Sequence, residues 1–103
     1  MSTFSEQVYD VVKKIPRGKV MTYKQVAIAM MKPRSARAVG NALNKNPDLL
    51  IIPCHRVVRS NGLVGGYVHG MRKKVSILLS EGIGIHHNRV DKKYIIMSKK
   101  RMK

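Results

Sequence analysis

Helix-starting and helix-breaking signals alternate so closely in the first half of this chain that no helix there can exceed about three turns. Thr3-x-x-Glu6 has the form of a capping box, and Phe4, Val8, Val11, Val12 and Ile15 follow at helical spacing, so residues 4 to 15 read as an amphipathic helix. Pro16 and Gly18 end it. Lys19-Val20-Met21 is a short extended piece, and a second box, Thr22-x-x-Gln25, opens a helix near Tyr23 that runs to about Met31. Lys32-Pro33-Arg34 breaks that helix, and Ser35 is placed to cap the next. From Ser35 to about Lys45, Ala36, Val39, Gly40 and Leu43 share one face, while Arg37, Asn41 and Asn44 share the other. Two short helices joined by a tight turn, the second small-faced inward and polar outward, make a helix-turn-helix candidate. Gly40 inside that second helix costs roughly 1 kcal/mol relative to Ala, a cost that a close helix crossing would offset.

The second half is looser. Asn46-Pro47-Asp48 signals a turn, and Leu49 to Ile52 read as a short apolar strand or extended segment that Pro53 terminates. Arg59-Ser60-Asn61-Gly62 carries an Asn-Gly turn, and Gly65-Gly66-Tyr67 is a flexible stretch without the Lys-Ser/Thr of a phosphate loop. A last helix spans Met71 to Glu81, with Val75, Leu78 and Leu79 inward and Gly82 at its C-terminal end. Arg89 to Met97 add a short strand. No repeat or internal boundary interrupts residues 1–103, which are expected to form one domain, with 98–103 as a basic, mobile tail. The predicted class is mainly α: a small winged-helix-like domain with a helix-turn-helix and a short β element.

Charge narrows the partners. Lys and Arg number 21 against 5 acids, a formal +16, and that balance favours a polyanion, with nucleic acid ahead of an anionic membrane. No apolar stretch approaches transmembrane length and the N-terminus lacks the regions of a signal peptide, so a soluble intracellular protein is expected. That means cytoplasmic and nucleoid-associated, or nuclear in a eukaryotic source.

Cys54 is the single cysteine, so no internal disulfide can form. Taken alone, such a residue is more often a small buried hydrophobe than a nucleophile. A thiol attacks as the thiolate and needs a base or a positive field nearby. His55 is adjacent, yet neighbours on an extended chain point to opposite faces, so a turn at Pro53 or a bridging water would be needed to couple them. A histidine base is best oriented by a carboxylate, and Glu6, Asp10, Asp48, Glu81 and Asp91 are the five candidates. The residues themselves leave that choice open.

Pro53-Cys54-His55-Arg56-Val57, preceded by Tyr23 and Ala36-Arg37-Ala38-Val39-Gly40 and followed by Gly65-Gly66-Tyr67, resembles the DNA-binding and active-site domain of O6-alkylguanine-DNA alkyltransferases over roughly residues 4 to 82. The resemblance implies that Cys54 accepts an alkyl group from O6 of a damaged guanine and keeps it, so that the protein acts once. It implies that Glu81 orients His55, that His55 deprotonates Cys54 through a water, and that Tyr67 donates its phenolic proton toward the guanine. Arg37 would fill the stack vacated by the flipped nucleotide, Tyr23 would press on the phosphate backbone, and Ala36, Asn41 and Arg56 would join the DNA-contacting set. Asn46 would tie the recognition helix to the active-site strand, backbone at Cys54 and Val57 would read the base edge, and Pro53, Gly65, Gly66 and Val68 would shape the pocket. The implied partner is double-stranded DNA carrying O6-alkylguanine, bound by a monomer, with several copies able to lie side by side.

Base flipping gives these roles a physical reason, because unstacking costs a few kcal/mol that an inserted side chain and phosphate contacts offset. Many family members carry a further N-terminal domain for which 103 residues leave no room. Val68-His69 also differs from the usual pattern after the tyrosine, which bears on lesion preference. His86 and His87 are adjacent, not at a helical ligand spacing, and read as solvated; no metal or cofactor is expected. Two other readings compete. One is a module resembling the alkyltransferase-like proteins, which flip and flag lesions without efficient transfer; the other is a basic helix-turn-helix regulator that reads sequence in the major groove.

Overall fold

A computed structural model describes residues 3–96. Four α-helices, α1 (Phe4–Val12), α2 (Tyr23–Ala29), α3 (Ala36–Asn44) and α4 (Met71–Ser80), pack around two short two-stranded sheets. The mainly helical class with a helix-turn-helix and a small β element stands. Both capping boxes form: Thr3 Oγ1 accepts from Glu6 N–H at 3.1 Å, and Thr22 Oγ1 accepts from Gln25 N–H at 3.0 Å, with the reciprocal bonds also made. α1 stops at Val12, before the expected Ile15, because Lys13 and Lys14 turn the chain so that Ile15 drops into the core ahead of Pro16. α2 likewise ends at Ala29, and Met31 takes a left-handed φ of 63° in the turn to α3. Ser35 holds the N-cap position of α3, but its side chain makes no capping hydrogen bond, contrary to expectation.

The strand expected at Leu49–Ile52 is absent. Asp48 explains the difference: its carboxylate accepts from Leu50 and Ile51 N–H at 3.1 and 3.3 Å and its carbonyl from Ile52 N–H at 2.9 Å, so local turn bonds take the donors that a strand would have paired. Leu50 and Ile51 are thereby left exposed while Ile52 is buried. Pro53 then starts a single 3-10 turn, Cys54–Arg56, that leads straight into β2 (Val57–Val58).

β2 pairs in parallel with β1 (Met21–Thr22), in the register Met21 with Val57 and Thr22 with Val58. Val57 enters a core formed with Val8, Val12, Val26, Val39 and Leu43 of α1–α3, whereas Val58 enters a second core with Val20, Val64, Leu78, Ile83 and Val90. Two residues of strand thus stitch the helical half to the other half. The same pairing runs the start of α2 alongside Arg59, at the opposite end of β2 from the turn that carries Cys54.

Gly82 ends α4 as expected. At φ +85° it lets its own N–H reach Leu79 O at 3.0 Å and Ile83 N–H reach Leu78 O at 3.1 Å, a Schellman closure sealed by the buried Leu78 and Ile83. The stretch expected to be a strand over 89–97 is divided: β3 (Ile85–His86) and β4 (Arg89–Val90) form an antiparallel hairpin, Lys92–Tyr94 form a 3-10 turn, and Ile95 bridges to Val20. The 98–103 tail lies outside the described residues. Among the described residues no helix is long and apolar enough to cross a membrane.

Candidate active site and nucleic-acid interface

The 3-10 turn at Pro53 resolves the difficulty of adjacent side chains on an extended strand, because Cys54 and His55 leave a tight turn. Both are buried. The Schellman closure holds Glu81 at the C-cap of α4, where its carboxylate meets this turn. Of the five acids, Glu81 is therefore the one beside His55: Oε2 lies 3.0 Å from Nε2. An ionised carboxylate only accepts, so the ring proton sits on Nε2 and Nδ1 keeps its lone pair.

Burial alone would raise the Glu81 carboxyl, but hydrogen bonds from Arg56 and His55 outweigh it and hold the group below the ordinary carboxylate range. Burial lowers His55 more than Glu81 raises it, so the imidazole is neutral near pH 7. Burial pushes the Cys54 thiol up, against smaller downward pulls from an Asn46 hydrogen bond and the charge of Lys74. The site thus holds a thiol and, on the next residue, a neutral, carboxylate-oriented imidazole.

Arg56 is not where the sequence placed it. Its Nε and Nη2 donate to the two Glu81 oxygens at 2.9 and 2.8 Å, and Nη1 donates to Ile15 O at 2.9 Å. A guanidinium engaged in this way is spent on the interior: it ties Glu81 to the Ile15 carbonyl in the turn after α1. Asn46 donates from Nδ2 to Ile52 O at 2.7 Å and accepts from Asp48 N–H at 2.8 Å, so it holds the turn between α3 and Pro53 where a strand was expected.

Lys74 was not singled out from the sequence. It is fully buried in α4, donating to Val57 O at 2.7 Å and Gly66 O at 3.0 Å, with its ammonium 5.8 Å from the centre of the Tyr23 ring. It therefore pins the Gly65-Gly66-Tyr67 stretch to β2. Burial lowers its pKa to about 8, opposed by the nearby Cys54. A sequence signal existed: Lys74 lies four residues before the inward Leu78 and seven before Glu81, on the face where an apolar residue was due. Tyr67 stacks edge-on against His55, ring centroids 6.5 Å apart, and burial followed by the Cys54 charge raises its phenol, so the hydroxyl keeps its proton at neutral pH.

Beyond this buried group opens a groove of about 560 Å³ bordered by α3 and the 59–66 loop, with Tyr23, Ala36, Arg37, Gly40, Asn41 and Arg59 among its walls. Arg37 and Asn41 are exposed there, as the helix pattern predicted. Gly40 is not forced by a close helix crossing. A methyl group at this position would meet the Tyr23 ring at an ordinary 3.7 Å, so the glycine instead leaves the groove floor open. Gly65 is constrained: φ is +75° and a Cβ would come within 3.1 Å of Arg59. Gly66 has open space around it, Pro53 and Val57 are buried, and Val68 is half-exposed. Among the described residues no group of three or more His, Cys, Asp or Glu side chains is placed to hold a metal ion.

Fold and site together define a small helix-turn-helix domain built over an inward-facing thiol. Residues 3–83 match the family described as 6-O-methylguanine DNA methyltransferase, DNA binding domain, and the chain belongs to that family. It is similar to the methylated-DNA--protein-cysteine methyltransferases of Saccharolobus solfataricus, 55% identical over 82 residues, and Metallosphaera sedula, 52% identical over 81. These matches cover 80% and 79% of this chain but 52% and 50% of the relatives, so the chain spans about half the length of the curated relatives it matches. Among solved structures it resembles S. pombe Atl1 in complex with damaged DNA containing O6-carboxymethylguanine, with TM-score 0.83, 28% identity, and coverage of 95% of this chain and 100% of that one. It also resembles Mycobacterium tuberculosis OGT in complex with DNA, with TM-score 0.75, 36% identity, and coverage of 79% and 50%.

Proposed function

We propose that this domain repairs DNA by moving an alkyl group from O6 of guanine to Cys54, irreversibly and once per molecule. The observation that carries the reading is that His55, paired with the Glu81 carboxylate from the end of α4, shares its turn with the single thiol. The α3 face enters the duplex, Arg37 fills the stack, Tyr23 presses on a phosphate, and the damaged nucleotide swings past the groove toward Cys54. Neutral His55 takes the thiol proton at Nδ1 through a water. Sγ then attacks the alkyl carbon, forming a C–S bond as the C–O6 bond breaks, and the electron pair leaves with the guanine. Tyr67, still protonated, supplies a proton to that ring, and Glu81 stabilises the imidazolium left behind.

The likeness to Atl1 over 95% of the chain favours one second reading, a module that flips and flags damaged bases without efficient transfer. Cys54→Ala separates the two. Under the repair reading this substitution abolishes transfer of a labelled methyl group and leaves affinity for a lesion-bearing duplex within about twofold. Under the flagging reading the unsubstituted chain also fails to take up label.

A further inference from the structure

The β3–β4 hairpin and the turn after it lie beyond the family match at residue 83, and the groove does not account for them. Their inner face is structural: Val90 is buried in the second core, and Ile85, Tyr94 and Ile95 pack against it. Their outer face is basic, with Arg89, Lys92 and Lys93 exposed. The one acid, Asp91, has its carboxylate turned back to accept from Lys93 N–H at 3.1 Å. His87 and Asn88, at φ 52° and 61°, make the tight two-residue turn that keeps the hairpin compact.

This basic ribbon is not an isolated appendage. Val90 N–H donates to Gly62 O at 2.8 Å, Val64 N–H donates to Asn88 O at 2.9 Å, and Leu63 bridges Arg89 antiparallel. The hairpin is thus hydrogen-bonded along the edge of the loop that walls the groove. Arg89 further donates from Nη1 to the carbonyl of Asn61, itself a groove residue. Smaller depressions continue the surface outward, one joining Arg59 and Gly65 to Asn88, another joining Ser60 and Asn61 to Arg89 and Lys92. Lys19 lies at the same place, with its ammonium 3.5 Å from Lys93 O.

We propose that this hairpin and the turn after it form a second DNA-contacting element, a wing whose Lys92 and Lys93 hold phosphates of the duplex beside the segment engaged by α3. The inference rests on the DNA-binding reading above. It adds a contact that α3 does not supply, and its partner is duplex backbone, because exposed cations on a hydrogen-bonded ribbon next to a groove suit regularly spaced phosphates. The likeness to Atl1 extends past residue 83 into this region, whereas the likeness to OGT covers only 79% of the chain.

The test is the salt dependence of binding to a duplex carrying one O6-methylguanine, using the full chain and the double variant Lys92→Gln/Lys93→Gln. Each lost phosphate contact should lower the slope of log K against log salt by about 0.9, so a drop of about one to two is expected, with roughly tenfold weaker binding at low salt. Methyl uptake at saturating protein should reach the same end point. A slope and affinity equal to those of the unsubstituted chain would overturn the wing, as would an equal loss in the control Lys13→Gln/Lys14→Gln, which removes the same charge away from the groove. Failure of the unsubstituted chain to bind duplex DNA at all is a different result and would overturn the reading beneath it.

Discussion

The two polar regions of this molecule are handled in opposite ways. Beneath the sheet, Glu81, His55, Arg56 and Lys74 are buried or nearly so, and their hydrogen bonds run to one another or to backbone carbonyls. Along the groove, Arg37, Asn41 and Arg59 stand exposed. A buried charge without a partner costs several kcal/mol, so the first region must be complete before any ligand arrives. An exposed cation costs little in water and can wait for a phosphate or a base stack. Preorganisation is thus concentrated where the proposed reaction moves a proton, and adaptability where the proposed duplex docks.

The largest expected effect comes from opening the buried region. Glu81→Ala strands the Arg56 guanidinium and frees the His55 ring, and should cost about 3 kcal/mol of stability, read as a lower denaturant midpoint, together with most of the methyl transfer. If Glu81→Ala unfolds as late as the unsubstituted chain, the two regions do not differ as described. Gly82→Ala should cost about 1 kcal/mol, because a side chain is strained at φ +85° where the space itself is open.

Lys74→Met sharpens the comparison by separating charge from packing. It orphans the carbonyls of Val57 and Gly66 but removes a costly buried ammonium, and the two effects, each about 2 kcal/mol, should nearly cancel. The pH profile is the cleaner readout. A lysine whose pKa falls to about 8 on folding binds fewer protons than the unfolded chain above that pH, so its contribution makes stability rise from pH 8 to about 10.5. That rise should vanish in Lys74→Met.

The same sign extends into acid. His55 and Glu81 are both held below their ordinary values in the folded chain, so the unfolded chain gains protons first as pH falls. Their stabilisation is complete above pH 6.5. It should be lost first as His55 protonates and then, below the ordinary carboxylate range, as Glu81 does. Arg37→Ala in the groove is expected to be the mildest change for the fold, within 0.5 kcal/mol, while weakening lesion binding and lowering the salt slope by one or less. A larger slope change would assign Arg37 to phosphate neutralisation instead of the base stack.

Much of this was legible from local signals. Thr3-x-x-Glu6, Thr22-x-x-Gln25 and Gly82 set helix ends through bonds spanning a few residues, and each forms. Cys54, His55 and Glu81 were legible as a set only through the resemblance, since 26 positions separate the histidine from its carboxylate and helical periodicity cannot bridge them. The errors share a cause. Leu49–Ile52 looked apolar enough for a strand, but Asp48 captured the backbone donors; Arg56 looked like one more DNA-facing cation, but Glu81 captured it. Lys74 was passed over because a lysine in a basic chain reads as surface, although its position on the inward face of α4 was there to be counted. The two-residue strands left no alternation to detect, yet their parallel pairing joins the two cores and runs Tyr23 alongside Arg59 at the groove.

The central claim is that Cys54 is a stoichiometric acceptor, and intact-mass measurement of the chain after mixing with a duplex containing one O6-methylguanine tests it most directly. The account predicts that each protein molecule gains a single methyl group, located by peptide mapping on Cys54, and that a second portion of lesion is left unrepaired. An unmodified Cys54 in protein that is demonstrably bound to the lesion would contradict it.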